Sequence, residues 1–89
     1  MKVIALYHPK SEHGRKVEEF CEHMHRFKAQ EVEALSLESK EGAQMARLYD
    51  IVRYPALLAV DNNGVLVKAW QEEKLPLLDE VSAYLTGRP

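Results

Sequence analysis

The stretch that most constrains what this chain can fold into is Tyr49 to Gly64, YDIVRYPALLAVDNNG. It reads as a helix end, a proline turn, an apolar strand and a hairpin tip. Pro55 has no N–H to give to a ladder, so it belongs at the mouth of a strand. The strand it opens, Ala56 to Val60, is apolar at every position, which is the pattern of a strand covered on both faces. Asn63-Gly64 is a strong short hairpin signal because both residue types tolerate positive φ, and it sends the chain back antiparallel through Val65 to Trp70.

The remaining elements are placed around that hairpin. Val3 to Tyr7 is a second apolar run, bounded by Lys2 and His8-Pro9, and is expected at the centre of the sheet. The polar loop HPKSEHG follows, with Ser11 as a candidate N-cap. Gly14 stands where a capping box would place Glu, which moves the expected start toward Glu12. From Arg15 to about Phe27, residues Val17, Phe20, Cys21, Met24 and Phe27 recur at helical spacing, so this helix should lie on the sheet. Glu31 to Leu37 alternates apolar and polar residues, as a less buried strand does. Strand, helix and strand make a βαβ unit with parallel strands and a right-handed crossover.

Ser39 caps a short helix running to Tyr49, with Ala43, Ala46 and Tyr49 facing inward and Met45 and Leu48 widening the stripe. Pro76 suits the first turn of a last helix carrying Leu77, Leu78, Val81, Tyr84 and Leu85, with Gly87 as its stop. The fold class is therefore α/β, in the order βαβ-α-ββα: a four-stranded mixed sheet flanked by three helices, with residues 1–89 in a single domain.

Composition excludes several function classes. Hydrophobic residues at 46% and charged residues at 29% suit one packed soluble domain. The 12 basic and 14 acidic residues are interleaved and sum to -2, so neither nucleic acid nor a membrane surface is an expected partner. The single cysteine, Cys21, excludes an internal disulfide and fits a reducing compartment. The apolar run near the N-terminus is too short for a signal core or a membrane span, so the expected location is cytoplasmic.

The element order, together with Tyr49-x-Ile51-x-x-x-Pro55 leading into ALLAVDNNG, resembles the thioredoxin-like and glutaredoxin-like fold family in a minimal form, over roughly Lys2 to Thr86. The resemblance implies a cis Tyr54-Pro55 bond, which proline tolerates at a cost of only ~0.5–1 kcal/mol. It also implies that Tyr54, just before the proline, offers its backbone N–H and C=O to an extended peptide or to glutathione, as in strand addition. Many relatives have a small or β-branched residue there, so the bulk of Tyr54 bears on whether the groove is open.

Across the groove, redox-active members carry Cys-x-x-Cys between the first strand and first helix, where one thiolate attacks a disulfide and the second resolves it. In this chain the corresponding residues are Ser11, Glu12, His13 and Gly14, and a shift of one residue brings in Arg15 but no cysteine. The sequence thus excludes dithiol disulfide exchange.

Cys21 lies two to three turns into its helix on the apolar face, away from the helix N-terminus that would activate it, and reads as a buried small hydrophobe; a monothiol enzyme is the alternative. Ser11 could hydrogen-bond a glutathione thiolate, as a hydroxyl does in glutathione transferases, but fits a helix cap better. His23 and His25 are rotated about 160° apart at ~100° per residue, so no metal site is expected. Tyr7 and Trp70 read as packing at the core rim, with a small aromatic groove of Tyr7, Tyr54 and a loop proline as the alternative.

The function expected is a redox-inactive binding module that takes a protein segment or small molecule beside Pro55, with no bound cofactor. The alternatives are a monothiol or glutathione-dependent enzyme using Cys21 or Ser11, and a structural domain that self-associates through its exposed second strand.

Overall fold

A computed structural model of the chain describes residues 1–86. Four strands run β1 (Lys2–Tyr7), β2 (Val32–Ser36), β3 (Ala56–Val60) and β4 (Leu66–Trp70), with helices α1 (Glu12–Lys28), α2 (Lys40–Leu48) and α3 (Leu78–Leu85). The sheet order is β2-β1-β3-β4. β1 pairs with β2 in parallel, Val3 opposite Val32, while β1–β3 and β3–β4 are antiparallel. The apolar runs Val3 to Tyr7 and Ala56 to Val60 thus become the two central strands, the alternating Glu31 to Leu37 becomes the edge β2, and Val65 to Trp70, also read as apolar, supplies the other edge, β4.

Because successive side chains of a strand point to opposite faces, β1 and β3 feed two cores. Val3, Ala5, Tyr7, Leu57 and Ala59 meet Val17, Phe20 and Met24 of α1 and Val81 of α3 on one face. Ile4, Leu6, Ala56, Leu58 and Val60 meet Ala46 of α2 and Ile51 on the other. A side chain of this kind contributes about 1.5–3 kcal/mol when fully buried. The first face has two helices over it and the second has one.

The hairpin tip differs in type from the Asn-Gly turn the sequence suggests. Only Gly64, at φ 80°, has positive φ in the loop. Asp61 Oδ1 accepts the N–H groups of Asn63 at 2.8 Å and Val65 at 2.9 Å, and Gly64 N–H returns to Asp61 O at 3.1 Å. An Asx-type turn closed by a left-handed glycine does the work assigned to an Asn-Gly pair. Next to the turn the β3–β4 register shifts between Ala59, opposite Lys68, and Val60, opposite Leu66, where β4 starts.

Three apolar residues placed in helical stripes lie on the surface instead: Phe27 is 62% exposed, Leu48 72% and Leu77 73%. Phe27 lies in the last turn of α1, beyond Met24, where the His23 ring meets it at 5.6 Å. Leu77 is the extended N-cap of α3, so Pro76 precedes the cap rather than occupying the first turn. The stop expected at Gly87 lies outside the described residues. No helix among the described residues is long and apolar enough to cross a membrane.

Candidate functional site

The loop after β1 and the first turn of α1 form one wall of the candidate groove. Ser11 stands at the N-cap with extended backbone, but its hydroxyl caps nothing. It donates to His8 O at 2.6 Å, and its N–H reaches the same carbonyl at 3.1 Å. The cap expected of Ser11 is therefore absent, because the hydroxyl is turned back to close the loop. Gly14 explains how tightly that loop sits: a Cβ built there would fall 2.3 Å from Pro9 O and 2.9 Å from His8 O. A side chain would have to push backbone aside, so α1 starts this close to the loop only with glycine at this position.

Opposite stands the proline turn. The Tyr54-Pro55 bond is cis, and Pro55 is buried at the mouth of β3. Tyr54 does not close the groove. Its hydroxyl donates to Ile51 O at 2.7 Å, and its ring meets the edge of the His8 ring at 5.7 Å, which holds it over the α2 face of the sheet. Glu12, His13, Tyr54 and Pro55 thus line one cavity of about 400 Å³, joined by Lys16 and Glu73. Lys16 follows Glu12 by one helical turn, so its place on this face was available from spacing. Glu73 comes from the link between β4 and α3, and no local sequence signal marks it.

The two loop histidines are coupled in a way the sequence did not suggest. The backbone N–H of His8 donates to His13 Nε2 at 3.1 Å, so this nitrogen must be unprotonated and a neutral ring must carry its proton on Nδ1. Burial first, and the neighbouring His8 charge second, lower the His13 pKa below its ordinary 6.5. The groove therefore presents a neutral His13 near neutrality, between Glu12, Lys16 and Glu73.

The single thiol is elsewhere. Cys21 is half-buried against the core between the sheet and α1, and burial, followed by the charges of Glu18 and Glu31, pushes its pKa up to about 11. It does not face the groove residues above. Tyr7 and Tyr54 do not form a shared aromatic groove either, because they lie on opposite faces of the sheet. The Tyr7 hydroxyl donates to Glu18 Oε2 at 3.2 Å, while Trp70 stacks edge-on with Tyr84 at 5.2 Å and donates from Nε1 to Glu80 at 2.7 Å. His25 pairs with Glu31 at 2.5 Å, apart from His23. Among the described residues no group of three or more His, Cys, Asp or Glu could hold a metal ion.

Neither the protein-family models nor the curated proteins contain a match to this sequence. Among solved structures, thioredoxin 1 from the thermophilic eubacterium Thermosipho africanus TCF52B is similar, with a TM-score of 0.66 at 11% sequence identity, over 98% of this chain and 92% of that chain. At that identity the likeness is one of fold, and it agrees with the four-stranded mixed sheet, the three helices and the strand order described above. The chain has a thioredoxin-like fold.

Proposed function

We propose that this thioredoxin-like domain is a redox-inactive binding module that takes an extended protein segment or a small molecule in the groove beside Pro55. The observation that carries the reading is that the first turn of α1 and the proline turn face each other across one open cavity of about 400 Å³, lined by Glu12, His13, Tyr54 and Pro55, while the Ser11 to Gly14 segment beside it holds no cysteine. Pro55 is buried, so a ligand would meet the Tyr54 backbone and the polar rim of Glu12, His13, Lys16 and Glu73.

The enzyme alternatives draw less support. Ser11 has its hydroxyl committed to His8 O, and Cys21 is held as a neutral thiol on the far side of α1's first turns. Glutathione remains a candidate ligand rather than a co-substrate on this reading. The reading places the domain in the cytoplasm, on its single cysteine, and assigns no role to nucleic acid.

Amide-resolved NMR titration with glutathione and with a panel of extended peptides tests it. Saturable shifts at Glu12, His13, Lys16 and Tyr54 are expected, weakened in His13→Ala. Saturable binding that leaves those amides unmoved would overturn the assignment of the groove.

A further inference from the structure

Tyr54 is a wall between two cavities, and the second one is chemically distinct from the groove. Behind the tyrosine, between the end of β1 and the C-terminal half of α2, lies a pocket of about 470 Å³. Its apolar lining includes Leu37, Ala43, Ala46 and Ile51, while His8, Arg47 and Asp50 are the polar residues that line it. The size is that of a small-molecule site, and the mixture of apolar wall and a few charged groups is what such sites use to fix orientation.

The two charges narrow the ligand. Arg47 lies in the last turn of α2 and Asp50 just past its C-cap, where Asp50 N–H donates to Arg47 O at 3.3 Å, and both residues line the pocket. Neither forms an ion pair among the described residues. Asp50 is moreover held in the left-handed region at φ 55°, just past the helix C-cap Tyr49. A simple carboxylate would meet Asp50 repulsively and a simple amine would meet Arg47 so. A dipolar head satisfies both, and a hydrocarbon body fits the wall formed by Leu37 and Ile51.

We propose that this pocket takes a small zwitterion with an apolar body, namely an aliphatic α-amino acid, its carboxylate on Arg47 and its ammonium on Asp50. The site is separate from the groove beside Pro55 and stands whether or not that groove binds anything.

The test is NMR titration of the full chain with L-leucine, leucinamide, which lacks the carboxylate, and N-acetyl-leucine, which lacks the ammonium. Leucine produces saturable shifts at Ala43, Arg47 and Ile51 but not at Glu12 or Lys16, and each analogue binds about tenfold more weakly or worse, the scale of one charge-assisted hydrogen bond. Arg47→Gln and Asp50→Asn each weaken leucine by a similar factor. Both positions are exposed, and Asn accepts the left-handed backbone, so the variants retain the wild-type spectrum in the absence of ligand. No saturable shift with millimolar leucine, equal binding of the three compounds, or unchanged binding in both variants would overturn the proposal.

Discussion

Cys21 and His13 are both held in their neutral forms, by the same first cause. Burial disfavours the thiolate of one and the imidazolium of the other. For Cys21, a pKa of about 11 against an ordinary 9.0 leaves roughly one molecule in ten thousand as thiolate at neutral pH, about a hundredfold below a free thiol. Alkylation by iodoacetamide in the native state should slow by a factor of that order relative to the unfolded chain, which mass spectrometry over a time course will measure. A native rate equal to the unfolded rate would contradict the burial argument. The sign for His13 is opposite, since a lowered base pKa means that the unfolded chain binds more protons. Its contribution to stability is therefore complete well above pH 6.5 and is lost as pH falls through 6.5 toward the lower folded value. Proton NMR should place the His13 midpoint below 6.5, with a component of the His8 amide shift following it and vanishing in His13→Ala. These two residues also mark how far sequence reading reaches at this scale. Cys21 could be placed on an apolar helix face from its spacing alone. The bond from His8 N–H to His13 Nε2 depends on the path of a loop and had no periodic signal.

Among the elements, the joints are more informative than the spans. Ser39 fulfils the capping role that Ser11 does not: its hydroxyl accepts Gly42 N–H at 3.0 Å and donates to Ser36 O at 2.6 Å. Ser39→Ala should cost about 1 kcal/mol, within the 0.5–2 kcal/mol range of lost N-caps, read as a shift in the urea midpoint at unchanged slope. Gly14→Ala should cost more, roughly 1–3 kcal/mol as in an overpacked site, because the new Cβ meets the backbone of His8 and Pro9 rather than a yielding side chain. If that variant were as stable as the parent, the close seat of α1 on its loop would be wrong. The same two serines show why helix starts are only partly legible. Both stand ahead of a helix, yet the local loop decides whether the hydroxyl turns toward the helix amides. Strands were easier: continuous apolar runs became β1 and β3 and the alternating segment became the edge β2, because burial on two faces leaves a mark on every residue. The exposed Phe27, Leu48 and Leu77 show the limit of helical periodicity, which identifies a stripe without saying where the sheet beneath it ends.

At the scale of the whole molecule, a single proline turn organises both cavities. It sits where β3 enters the sheet, with the α1 start on one side of Tyr54 and the α2 end on the other. The tyrosine ring is tied back to Ile51 O and His8, so it separates the cavities instead of filling either one. Element order and the Tyr-x-Ile-x-x-x-Pro spacing made the architecture legible. The contribution of Glu73 was not, because it arrives from a link between elements far away in sequence. The chain has a thioredoxin-like fold, and we propose that it uses the groove for binding without exchange chemistry. The most direct measurement is insulin reduction with glutathione as reductant, comparing the wild-type chain with Cys21→Ala. The predicted result is a rate equal to the uncatalysed background for both proteins. Turnover by the wild-type chain that disappears in Cys21→Ala would contradict the account.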